Sequence, residues 1–160
     1  MKIGIISDTH GSLPAAVFEV FSGVDHIIHA GDIGGQWLLD ELELIAPVTA
    51  VYGNCDYPGD YLTATETASV TLAGQRFYIA HIPAQIKLAL SGRGDIKPGS
   101  PLPHICVHGH THVPRNEYQG AVLMLNPGSP VRPREGSKPC VMLLELELGK
   151  PPRVEFCEIR

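Results

Sequence analysis

Five short apolar runs in this chain each stop at a residue type able to bind a metal ion. Ile3-Gly4-Ile5-Ile6 leads into Ser7-Asp8-Thr9-His10, and Ile27 to Ala30 leads into Gly31-Asp32. Val48 to Tyr52 leads into Gly53-Asn54, Arg76 to Ala80 into His81, and Ile105 to Val107 into His108-Gly109-His110-Thr111-His112. Runs this short and this rich in Ile and Val read as buried strands. Helix-like stretches separate the early ones. Pro14 to Phe21 opens with a proline suited to a first helical turn, with Ser12 upstream as its expected cap. Gln36 to Ile45 carries Trp37, Leu38, Leu42 and Ile45 at helical spacing, and Trp37 is assigned to helix-to-sheet packing. Strand–helix alternation implies parallel pairing with right-handed crossovers, which gathers the loops after the strands on one edge. The five runs therefore aim their terminal residues at one place.

The second half changes character. Ala68 to Leu72 and Arg76 to Ala80 flank Ala73-Gly74-Gln75 as a hairpin, and Ala121 to Leu125, Cys140 to Leu148 and Arg153 to Ile159 read as further strands. Between Pro83 and Pro103 lies a short helix, Ala84 to Leu90, followed by a Gly/Pro-rich loop. An α/β architecture of two packed sheets with outer helices accounts for these elements most economically. At 160 residues they fit one domain, 1–160, burying about two-thirds of the unfolded surface.

Other bulk properties narrow the function. The formal charge is −5, from 12 Lys plus Arg against 17 Asp plus Glu, and no basic run is present. A nucleic-acid backbone is therefore expected only as a substrate. No apolar run approaches the length of a membrane span, and no secretory signal is recognisable. The four scattered cysteines, with no C-x-x-C pair, are read as free thiols in a reducing cytoplasm.

The donor types point to hydrolysis at a pair of metals. Such a site needs oxygen donors and imidazoles, with one carboxylate shared by ions roughly 3.5–4 Å apart. Asp8, His10, Asp32, Asn54, His81, His110 and His112 supply that set, and glycines beside several of them allow close backbone approach. Each piece is weak alone; their order, each at a strand end, is specific.

Asp8-Thr9-His10-Gly11, Gly31-Asp32, Gly53-Asn54-Cys55-Asp56 and Gly109-His110-Thr111-His112 resemble the motifs of the calcineurin-like metallophosphoesterase superfamily, closest to its small single-domain phosphodiesterase branch. Asn126-Pro127-Gly128-Ser129, followed by Arg132 and Arg134, is similar to a late loop of that branch. The resemblance implies a four-layer sandwich of two mixed sheets flanked by helices. It implies one metal held by Asp8, His10 and His112, a second by Asn54, His81 and His110, and Asp32 shared between them. Asp32, Asn54 and His110 become the expected catalytic residues, and Cys55, Asp56 and Arg132 the expected substrate-contacting or ligand-orienting ones. A small phosphate ester would be hydrolysed by a metal-bridging hydroxide, with Mn2+ expected and Fe, Co, Ni or Zn served by the same donors. A homo-oligomer stays open.

Two positions depart from the family pattern. Many members carry a His after the Asn, where this chain has Cys55, as the small-phosphodiesterase branch often does. The missing imidazole implies substrates with good leaving groups, and cations nearby would lower the thiol pKa. The family's frequent His-Gly-His reads His81-Ile82-Pro83 here, so the backbone beside that donor must differ. A rival reading is a protein-binding scaffold on the same fold, as in the retromer-type sorting subunit, where the metal site is degraded. The seven competent donors count against it.

Overall fold

A computed structural model describes all 160 residues. The first sheet is built from β1 (Lys2–Ile6), β2 (His26–His29), β3 (Val48–Ala50), β9 (Cys140–Glu145) and β10 (Arg153–Glu158), in the order β10-β9-β1-β2-β3. The second joins β4 (Thr67–Leu72), β5 (Gln75–Ala80), β6 (Ile105–Val107), β7 (Arg115–Gln119) and β8 (Val122–Asn126), in the order β4-β5-β6-β8-β7. Both are mixed. The β1-β2-β3 and β5-β6-β8 pairings are parallel, whereas the chain edges turn back antiparallel.

Three apolar clusters explain the layering. Ile3, Ile5, Ile28 and Val51 meet Phe77, Ile79, Ile105, Val107, Leu123 and Leu125 between the sheets. Outside the first sheet, α1 (Ala15–Val20) and α2 (Gln36–Glu43) bury Val17, Phe21, Leu38, Leu39 and Leu42 against Ile6, Ile27 and Ala50. Outside the second, α3 (Pro83–Leu90) buries Ile86 and Ala89 against Tyr78, Ala80, Cys106 and Met124. Alternate residues of β1 and β5 thus feed the central core and an outer one, which is why these strands read as unbroken apolar runs. The result is the four-layer sandwich expected from the motifs.

Several local expectations need correction. Ser12 does not cap α1: Pro14 takes the cap position and no side chain bonds there. The run through Tyr52 leaves the ladder after Ala50, where Val51 makes an isolated bridge to Thr65. The expected Cys140–Leu148 strand stops at Glu145, and Leu148 is fully in solvent. Strand β7 was not expected at all, and Trp37 does not pack on the sheet, being 50% exposed. The four cysteines are unpaired, and no helix is long and apolar enough to cross a membrane.

Candidate metal centre

The C-terminal ends of β1, β2, β3, β5 and β6 meet at one edge, and the seven candidate donors converge there. Donor atoms of Asp8, His10, Asp32 and His112 all lie within 4.8 Å of one another. His81 Nε2 is 3.4 Å from Asp32 Oδ1 and 3.9 Å from Asp8 Oδ1. His110 stacks edge-on to His81 at 5.3 Å between ring centres, and its Nδ1 stands 2.9 Å from Asn54 Oδ1. Asp32 reaches both groups, because its Oδ2 is also 3.8 Å from His10 Nε2.

The backbone is bent to achieve this. Asp8, His10, Asp32, His110 and His112 all have positive φ, between 46° and 68°, and only Ala73 and Glu135 share that conformation among non-glycine residues. Left-handed backbone is disfavoured for side chains with a Cβ, and it collects at functional sites where the surroundings enforce it. Polar pairings between loops supply the enforcement. The buried His29 donates from Nε2 to Thr9 Oγ1 and accepts from the Gly31 N–H, while Thr9 Oγ1 donates to the Ile33 carbonyl. Ser129 Oγ donates to the Asp8 carbonyl at 2.8 Å, and Asn126 Nδ2 donates to the Gly109 carbonyl and Thr111 Oγ1. The Asn126–Ser129 loop thereby clamps the Asp8 and His110 loops together.

The donors fit divalent cations. His112 Nδ1–H donates to the Arg132 carbonyl at 2.6 Å, and His81 Nδ1–H donates to the Ala30 carbonyl at 2.8 Å. In the neutral form of such a ring the bare Nε2 lone pair faces carboxylate oxygen, and His112 Nε2 stands 3.1 Å from Asp8 Oδ1. Lone pairs opposed in a buried place are unfavourable unless a cation lies among them. His81 Nε2 is the one buried side-chain nitrogen or oxygen in the protein without a hydrogen-bond partner. Burial pushes the Asp8 carboxyl up from its ordinary range. At Asp32 burial acts the same way but is outweighed by His81 and the Cys55 N–H, which hold its carboxyl low. His81, which burial alone would push down, is instead raised by Asp32 and Asp8. His29 lies deeper still, and burial pushes it down to about 3, so it serves as a neutral strut.

The remaining expected residues divide between roles. Asp56 accepts from the Ile33, Gly34 and Gly53 N–H groups and from Tyr61 Oη, tying the Asp32 and Asn54 loops together. It orients the donors rather than joining them. Arg132 orients His112 through its carbonyl, and its side chain is exposed. The exposed Cys55 donates its N–H to Asp32 Oδ1 at 2.9 Å. Its thiol is pushed up by burial and by Asp32, so the protein's own groups oppose the lowering expected from cations. Pro83 opens α3 two residues after His81, and the intervening Ile82 donates its N–H to Gln85 Oε1, which explains the altered sequence beside that donor. Ser7 and Thr9 carry no role in the sequence reading, where small polar residues beside a donor were their only signal, and Ser129 enters it only as part of the late-loop motif.

The centre is shallow. A cavity of about 160 Å³ lies beside Asn54 and His81, lined also by Tyr52, Glu66, Ile82 and Gln85. A larger cavity, about 420 Å³, lies on the outer face of the second sheet among Ser69, Thr71, Arg76, Tyr78, Asp95 and Lys97, and contains none of the donors. The candidate centre therefore rests on donor chemistry, not on concavity.

Comparison with known proteins agrees with the geometry. A probable metallophosphoesterase of Methanothermobacter thermautotrophicus is 36% identical over 92% of this chain and 87% of its own length. The solved structure of an archaeal phosphodiesterase superposes with a TM-score of 0.76 at 28% identity, covering 98% of this chain and all of its own. Vps29 of Entamoeba histolytica, solved with Zn2+, shares the fold at a TM-score of 0.72 and 20% identity, over 98% of each chain. The model of the calcineurin-like phosphoesterase superfamily domain matches residues 1–149, and the chain belongs to that superfamily.

Proposed function

We propose that this chain is a binuclear metal-dependent phosphodiesterase, with residues 1–160 forming one domain. The observation that carries the reading is the convergence of seven donors around Asp32, with buried imidazole lone pairs aimed at carboxylates. Asp8, His10 and His112 would hold one divalent ion, Asn54, His81 and His110 the other, and Asp32 would be shared. Two cations so held supply Lewis-acid polarisation of the phosphoryl group and a lowered pKa for the attacking water. The chain's own part is positional. The Arg132 and Ala30 carbonyls fix the His112 and His81 tautomers, and Asp56 sets the spacing of the two loops that carry Asp32 and Asn54. Asn54 and His110 lie on the more open side of the centre, where a phosphate can enter. The exposed Arg132 guanidinium, close enough to His10 to act on it electrostatically, would meet a phosphoryl oxygen. Manganese is the proposed metal, on the mixed imidazole and carboxylate donors. The four unpaired cysteines support a cytoplasmic setting.

Purified protein with added Mn2+ is expected to hydrolyse bis(p-nitrophenyl) phosphate and to bind two metal equivalents. Absence of turnover with Mn2+, Fe2+, Co2+, Ni2+ and Zn2+ alike would overturn the proposal. Cys55 makes a second expectation. No imidazole stands there to protonate a poor leaving group, so Cys55→His should raise monoesterase relative to diesterase activity, by about tenfold or more on the scale of general acid catalysis. An unchanged ratio would remove leaving-group control from this position.

A further inference from the structure

Trp37 is the single tryptophan of the chain, and half of it is open to solvent. It lies in the first turn of α2, whose buried face is formed by Leu38, Leu39 and Leu42, so the indole stands off the core. What it touches is the loop that follows Asp32. A Cβ built on Gly35 would lie 2.8 Å from Trp37 Cδ1 and Nε1, so the ring edge rests on the Gly35 backbone. Gly34, its neighbour, is pressed onto the Gly11 nitrogen, with room for no Cβ, and an added one would come within 2.6 Å of the His10 carbonyl carbon. The indole therefore leans on a glycine pair that is itself in contact with the backbone of a candidate donor.

A second set of exposed apolar side chains follows Asn54-Cys55. Tyr57 is 72% exposed and Leu62 88%. This segment is tied to the Trp37 loop by the Asp56 bonds to Ile33 and Gly34, and by the Leu62 N–H donating to Gln36 Oε1 at 2.9 Å. The cross-linked loops that position Asp32 and Asn54 thus also carry three large side chains at the surface. Aromatic rings left at the edge of a polar centre suit ligands with one charged end and one flat apolar end.

We infer that Trp37 is a specificity-determining residue that stacks on a flat ring, an aryl group or a nucleobase, carried by one ester arm of the substrate. This rests on the phosphodiesterase reading and names the substrate class for the same centre. It also accords with Cys55: esters of aryl alcohols depart without a proton donor, and a stacking residue selects them. Stacking tolerates any ring, because every base or aryl group offers a π-face.

The lone indole gives a reading of binding that is separate from turnover. Adenosine monophosphate added to metal-loaded protein is expected to quench Trp37 emission saturably, while ribose 5-phosphate, which lacks the ring, leaves it unchanged. Trp37→Ala should raise KM for bis(p-nitrophenyl) phosphate about tenfold, within the range of a lost stacking contact, with kcat changed less than about twofold. Trp37→Phe should recover most of that loss, and glycerophosphocholine hydrolysis should be indifferent to either change. Emission unaffected by adenosine monophosphate, or a KM unchanged in Trp37→Ala, would overturn the assignment. Failure of the wild-type protein to cleave any diester would fell the catalytic reading instead, and the emission titration would still decide the role of Trp37.

Discussion

Asp32→Asn is expected to leave the fold intact and to cut phosphodiesterase turnover by about a thousandfold, the scale on which one preorganised electrostatic group is lost from a hydrolytic site. The substitution suits the position. Asp32 has φ 52°, and asparagine is among the few residues that accept left-handed backbone readily. Its amide oxygen can still accept the Cys55 N–H that now donates to Oδ1. What disappears is the negative charge that reaches His81 on one side and His10 on the other. In the proposed assignment each other donor serves one ion and Asp32 serves both, so both ions should weaken together. Elemental analysis should find well under two equivalents of metal, and thermal unfolding should stay close to wild type. Activity within tenfold of wild type would show that Asp32 is not shared.

The candidate centre was legible because its strands are buried on both faces. Such strands have no alternation to dilute them, so each apolar run ends visibly, and a donor follows within one to three residues. The parallel pairing of β1, β2 and β3 followed from the same runs. Strand β7 escaped for the opposite reason: Arg115 to Gln119 lies at a sheet edge, its residues almost all exposed, and no apolar pattern records its pairing with β8. Trp37 misled because helical spacing reports which side of a helix a residue lies on only when its neighbours agree. Here Leu38, Leu39 and Leu42 had already claimed the buried face. The clamp made by Ser129, Asn126 and His29 was invisible for a third reason. Its bonds between loops join residues distant in sequence, such as the 121-residue separation between Ser129 and Asp8. A run of residues reports burial; it carries no record of which loop will lie against which.

That distance makes one glycine decisive. Gly109 donates its N–H to the His81 carbonyl at 3.1 Å and accepts from Asn126 Nδ2 at 3.1 Å, so it is held on two sides. On a third, a Cβ would collide with Ser7 Oγ and stand 2.6 Å from Asp8 Oδ2. Neither neighbour can retreat. Both are wholly buried, Ser7 Oγ is bonded to the Gly31 carbonyl, and the Asp8 backbone is bonded to Gly31 and Ser129. Gly109→Ala should therefore destabilise the protein by about 1–3 kcal/mol, the usual scale of overpacking, which lowers Tm by several degrees at this size. It should also displace Asp8 and reduce bound metal. The two effects are separable, because different atoms cause them. Adding Ser7→Ala removes the collision with the hydroxyl, leaving Ser7 Cβ at 2.9 Å, and a double-mutant cycle should then show a partly recovered melting temperature with metal content still low. If Gly109→Ala melted like wild type and bound a full complement of metal, the close approach of the His110 loop to Asp8 would not be what builds the centre.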